Sequence, residues 1–149
     1  MTYHSPGEYI DGPIHAAAVF CSDGRFGEHT NEFLKNGLGL ERCDLVVLPG
    51  GPARLIGMGL SSIEKKTVLA ELNFLVTAHK LDRVILIQHE SCAFYKHHTK
   101  LEGDALRPRQ ASDLVEAART ITANCGKIKI EGYHARPTPD GMNFTPVEL

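Results

Sequence analysis

No part of this chain is apolar for long enough to cross a bilayer. Its longest apolar stretch, Ala16 to Cys21, is far too short. Charge of one sign is missing as well: 16 Lys plus Arg stand against 18 Asp plus Glu, a formal net charge of −2. No basic stripe with interleaved aromatics occurs, so neither a membrane nor a nucleic acid is an expected partner. Met1 to Gly12 lacks the cationic-then-apolar order of a secretory leader, and the expected location is cytoplasmic. Cysteine is sparse: Cys21, Cys43, Cys92 and Cys125 are all there is. With no secretory signal they are expected as reduced thiols, open to a metal, rather than as two disulfides. Nucleotide signatures are lacking too. Pro49-Gly50-Gly51-Pro52 is not followed by Gly-Lys-Ser/Thr, and there is no Gly-x-Gly-x-x-Gly. A cysteine phosphatase would need an arginine shortly after Cys92, where the chain reads Ala-Phe-Tyr-Lys-His-His. No internal repeat or low-complexity segment is present.

What is there is an ordinary globular composition, 42% apolar and 23% charged over 149 residues, enough for one domain with a proper core. Residues 1–13, with Gly, Pro and Tyr, read as an arm, and 14–149 as the domain. Ile14 to Cys21 reads as a buried strand ending at a Ser-Asp-Gly turn, and Glu28 to Asn36 as a helix stopped by Gly37 and Gly39. Asp44 to Leu48 is a second strand. Ser61 to His79 is a helix with a serine cap and an apolar stripe of Val68, Leu69, Leu72, Leu75 and Val76. Arg83 to Ile87 is a third strand that runs into His89, Ser112 to Ala123 a further helix, and Lys127 to His134 an alternating strand. Pro139-Asp140-Gly141 turns it into a last, antiparallel strand, Asn143 to Val147. The fold class expected is α/β: a single domain with a mostly parallel central sheet flanked by helices and a C-terminal antiparallel edge strand.

Chemistry concentrates in Cys21-Ser22-Asp23-Gly24-Arg25 and His89-Glu90-Ser91-Cys92. His89-x-x-Cys92 alone fits a packed core as well as a metal site, and a lone Cys21 is ordinarily buried. Both clusters, however, end predicted strands, and open α/β sheets place their sites at that rim. Two thiols and an imidazole make a three-ligand set for zinc with a fourth position open, as in catalytic rather than structural sites. Asp23 and Arg25 could be a surface ion pair of little consequence. Beside a metal, Arg25 would hold Asp23 ionised and fixed in direction by a bidentate bond. Cys43 and Cys125 read as packing residues, Lys96-His97-His98 as a solvated turn or a proton-transfer group, Phe94 and Tyr95 as packed or pocket-lining, and His134 and Arg136 as surface residues.

The motif Cys21-Ser22-Asp23-Gly24-Arg25, the strand and glycine turn Leu45 to Pro52, Val84 to Cys92, and the closing segment Lys129 to Pro146 resemble the β-class carbonic anhydrases. The resemblance implies Cys21, His89 and Cys92 as Zn2+ ligands and Asp23 with Arg25 as a catalytic dyad. It also implies a homodimer or higher homo-oligomer, with active sites near the subunit interface. Departures from the usual family motif fall at Gly24, Gln88 and Ala93, where Gln88 and Ala93 stand for glycines. Side chains there are expected to narrow or redirect the approach to zinc. The expected function is zinc-dependent hydration of carbon dioxide to bicarbonate by zinc-bound hydroxide. The alternatives are hydrolysis of carbonyl sulfide or carbon disulfide on the same scaffold, and a non-catalytic zinc-binding oligomeric module.

Overall fold

The computed structural model describes residues 1–59 and 61–149. Five strands form one sheet in the order β2-β1-β3-β4-β5: β1 (Ala16–Cys21), β2 (Asp44–Leu48), β3 (Arg83–His89), β4 (Lys129–Thr138) and β5 (Gly141–Val147). The first four are parallel, and β5 returns antiparallel along β4, from Thr138 opposite Gly141 to Gly132 opposite Val147. This is the expected fold class. The helices are α1 (Gly24–Glu32), α2 (Ser62–Ala78), α3 (Ala93–Thr99) and α4 (Leu106–Cys125). None is long and apolar enough to cross a membrane, among the described residues.

The central strands are apolar throughout because both their faces are covered. Ala17, Val19, Val84 and Leu86 pack against Val68, Leu69 and Leu72 of α2 and Leu114, Ala117 and Ile121 of α4. On the other face Ala18, Phe20, Ile85 and Ile87 meet Phe26 of α1 and Leu34 of the wider helical turn that follows it. From β1 the chain crosses to β2 on one side, and then, through α2, back past β1 to β3 on the other. The two crossovers use opposite faces of the sheet, as right-handed connections require. The strand order therefore reverses at β1, and the crevice outside the carboxyl ends of β1 and β3 is the natural binding place of such a sheet.

α2 starts where its serine cap was expected. Ser61 Oγ accepts from the Glu64 N–H (3.3 Å) and Glu64 Oε2 from the Ser61 N–H (2.9 Å), a reciprocal cap. Three elements differ from the sequence reading. α1 begins four residues earlier than Glu28, because Asp23 caps it. α4 begins at Leu106 rather than Ser112; Pro108 lies in its first turn, where no N–H is needed. Lys96-His97-His98 belong to helix α3 and not to a turn.

Candidate metal centre

β1 and β3 are hydrogen-bonded neighbours with Phe20 level with Ile87, so their C-terminal ends carry Cys21 and His89 to the same edge. Ser91 then takes a left-handed conformation (φ 57°), which turns the chain back so that Cys92 points to the same spot. A non-glycine residue adopts that conformation only where its surroundings hold it. The sulfurs of Cys21 and Cys92 and a ring nitrogen of His89 lie within 4.8 Å of one another. All three residues are buried.

The glycine turn after β2 closes the site from one side. The Gly50 N–H donates to Cys21 Sγ at 3.4 Å. A Cβ on Gly51 (φ 50°) would sit 2.7 Å from the Cys21 nitrogen, so only glycine lets this backbone approach so closely. On the opposite face the His89 ring lies against Phe26, with centroids 4.0 Å apart.

The protonation pattern suits a metal. His89 Nδ1 is 2.8 Å from the Glu90 carbonyl oxygen, which can only accept, so Nδ1 carries the proton and Nε2 the lone pair. That Nε2 is buried with no hydrogen-bond partner, an unusual and costly state for a ring nitrogen without a ligand. The Cys92 thiol stabilises a thiolate at Cys21, and the Gly50 N–H adds to this against the opposing effect of burial. The Cys92 pKa is raised, first by its bond to Cys21 and then by burial. A nitrogen lone pair, a ready thiolate and a second sulfur form a donor set that fits a borderline-soft divalent cation. Cys43 and Cys125 contrast with this. Burial is the main cause raising Cys43 to about 11, and it raises Cys125 as well, as befits packing residues. All four cysteines are free thiols.

Asp23 and Arg25 lie at the rim. Arg25 Nε and Nη2 donate to the two Asp23 oxygens at 2.9 and 2.6 Å, and the Arg25 N–H adds a third bond at 3.1 Å. Arg25 is itself exposed while the Asp23 side chain is 16% exposed, so the guanidinium holds the carboxylate from the solvent side. That bond is the main cause lowering Asp23 to about 2.

Residues 13–141 match the protein family described as "Putative carbonic anhydrase". Among solved structures, β-carbonic anhydrase isoform I of Trichomonas vaginalis is similar with a TM-score of 0.56 and 16% identity, over 97% of this chain and 90% of that one. The β-carbonic anhydrase CcaA is similar with a TM-score of 0.58 and 13% identity, over 93% and 80%. Tetrameric β-carbonic anhydrases of Sordaria macrospora give 0.54 and 13%, over 89% and 81%. The chain belongs to that carbonic anhydrase family and has the fold of the β-carbonic anhydrases. At these identities the likeness to each solved structure is one of fold. No curated protein sequence matches this chain.

Two sequence expectations need correction in this chain. Gln88 does not narrow the approach to the site. Strand alternation sends it to the face opposite His89, where it is fully buried and donates to the Tyr95 hydroxyl at 2.8 Å. His134 is not a surface residue but 5% exposed, with its Nε2 3.1 Å from Gln110 Oε1; Arg136 pairs with Glu90 at 3.2 Å. Gln110 and Asp113 escaped the sequence reading altogether. Their signal was two polar residues on the core-facing side of α4: Asp113 stands beside Leu114 in the expected helix, and Gln110 joins it only if the helix is begun before Ser112.

Burial, with Arg107 and Arg136 adding repulsion, lowers His134 to about 4. The unfolded chain binds its proton near the ordinary histidine value of about 6.5. The stability that comes from keeping His134 neutral is therefore complete above about pH 6.5 and is lost as the pH falls towards 4, up to about 3 kcal/mol. Chemical denaturation at pH 7 and at about pH 4.5 should show that loss in the parent protein and a smaller one in His134→Gln. Equal losses in the two would mean that another group carries the acid sensitivity.

Proposed function

We propose that this protein hydrates carbon dioxide to bicarbonate with a zinc ion held by Cys21 Sγ, Cys92 Sγ and His89 Nε2. The observation that carries the reading is the pairing of an unsatisfied buried nitrogen and two convergent sulfurs with a carboxylate fixed beside them. When bound, zinc supplies Lewis acidity that brings the pKa of water down to about 7. Asp23 accepts a hydrogen bond from the attacking water and points its lone pair at the carbon of the substrate. With its pKa near 2 it stays ionised across the working range, so it orients the nucleophile and does not store the released proton. Arg25 keeps both Asp23 oxygens in register and away from the metal. Water and carbon dioxide give bicarbonate and one proton, which leaves to solvent.

The proposal takes residues 1–13 as an arm and 14–149 as the zinc domain, working in the cytoplasm as a homodimer or larger homo-oligomer. β2 is a sheet edge with Leu45 and Val47 exposed by 47% and 41%, and Phe74 of α2 is 68% exposed, surface that a second copy would cover.

Stopped-flow hydration of carbon dioxide by zinc-loaded protein from about pH 6.5 to 9 tests the reading. The expected result is a kcat/KM above about 10⁴ M⁻¹ s⁻¹, within the ordinary range of enzymes, rising with pH as water ionises. Tight zinc with no rate enhancement would mean a binding module. Faster turnover of carbonyl sulfide or carbon disulfide would reassign the substrate.

A further inference from the structure

The face that α4 turns to the core is not wholly apolar. Leu106, Leu114, Ala117 and Ile121 share it with Gln110 and Asp113, which are 1% and 4% exposed. Burying an amide and a carboxylate in this position is costly unless both are bonded. They are, and one partner of Gln110 belongs to the segment that carries His89 and Cys92. Gln110 Nε2 donates to the backbone carbonyl of His89 at 2.9 Å. This sets the amide's orientation, so Gln110 Oε1 accepts from His134 Nε2 on β4.

One turn further along α4, Asp113 accepts from Arg109 Nε at 2.9 and 3.0 Å and lies beside the Tyr95 hydroxyl. The phenol oxygen accepts from Gln88 Nε2, which belongs to the residue just before His89 on β3. Tyr95 is fully buried in the first turn of α3, the helix that Cys92 caps, and the Lys96 N–H bonds back to the Cys92 carbonyl at 3.0 Å. Gln110 of α4 thus grips the strand end at His89, and Tyr95 ties the helix start after Cys92 to Gln88, the residue before His89. Between those grips sits Ser91 with its left-handed backbone.

We propose that Gln110 and Tyr95 are positioning residues: Gln110 ties the His89 backbone to α4, Tyr95 ties the first turn after Cys92 to Gln88 on β3, and together they fix the imidazole and thiol relative to each other for the metal. This rests on the reading of Cys21, His89 and Cys92 as ligands. Groups that orient metal ligands from behind commonly change affinity by about 10- to 100-fold when removed.

The test is Co2+ binding, measured by competition with a chelator and by absorption, in Gln110→Met, Tyr95→Phe and a control on the same helix, Ile121→Val. Gln110→Met and Tyr95→Phe are expected to bind Co2+ about 10- to 100-fold more weakly, with altered d–d bands. The control should lower the melting temperature with affinity and bands unchanged, which separates positioning from loss of packing. Asp113→Asn, which leaves the Gln110–His89 and Gln88–Tyr95 bonds in place, should bind nearly as the parent does. Unchanged affinity and bands in both Gln110→Met and Tyr95→Phe would overturn the proposal, and so would failure of both to fold with Co2+ present. A parent protein that shows no sulfur-to-cobalt absorption would instead overturn the ligand reading itself.

Discussion

Cys21→Ser is expected to leave the protein folded and without zinc, and therefore without activity. Cys21 is a small buried residue at the end of a central strand, and serine matches its size, so the sheet loses little. The metal loses a great deal. Cys21 is the thiolate of the pair, held as such by the Cys92 thiol and by the Gly50 N–H, whereas a serine hydroxyl does not ionise near neutral pH. Zinc binding in four-ligand sites is worth about 10–16 kcal/mol. One ligand's share is then about 3 kcal/mol or more, at least about 100-fold in affinity. Metal analysis after dialysis against a chelator is the measurement, with circular dichroism to check the fold. One equivalent of zinc retained by Cys21→Ser would remove Cys21 from the ligand set.

Asp23→Asn should do the reverse: keep zinc and lose turnover, by about 10²- to 10⁴-fold in kcat. Asparagine caps a helix about as well as aspartate, so α1 stays in place. The ligand atoms come from other residues and remain. What disappears is the negative charge that Arg25 holds through two bonds. An amide offers one oxygen in place of two and no charge, so the acceptor for the attacking water weakens and Arg25 is released. Full turnover in Asp23→Asn would end the orienting role. Loss of zinc alongside turnover would show instead that Asp23 supports the site as structure.

Most of the fold follows from short-range pattern. The unbroken apolar runs at β1 and β3 announce strands covered on both faces, and the Ser61–Glu64 spacing announces the start of α2. The run before His89 and the Ser-Asp-Gly turn after Cys21 put both clusters at strand ends, and the structure brings them within 4.8 Å. α3 and the first turns of α4 were illegible for a local reason. Their sequences, rich in His, Lys, Arg and a proline, carry little apolar period, and those helices form because Tyr95 and Leu106 are buried against the site.

The side chains behind the site belong to another order of information. Residue types alone account for the ligand candidates and for the Asp23–Arg25 pair, because thiolates, imidazole, carboxylate and guanidinium have fixed chemistry and the pair is two residues apart on one chain segment. The positions of Gln88, Tyr95, Gln110, Asp113 and His134 were decided only by tertiary structure. Each is polar yet buried by strand alternation or helix packing, and Gln88, Tyr95, Gln110 and His134 are bonded to partners 7 or more residues away. Burial turns such groups from solvated surface into obligate hydrogen-bond partners. Where burial occurs depends on which elements lie side by side, and that is settled by the whole sheet.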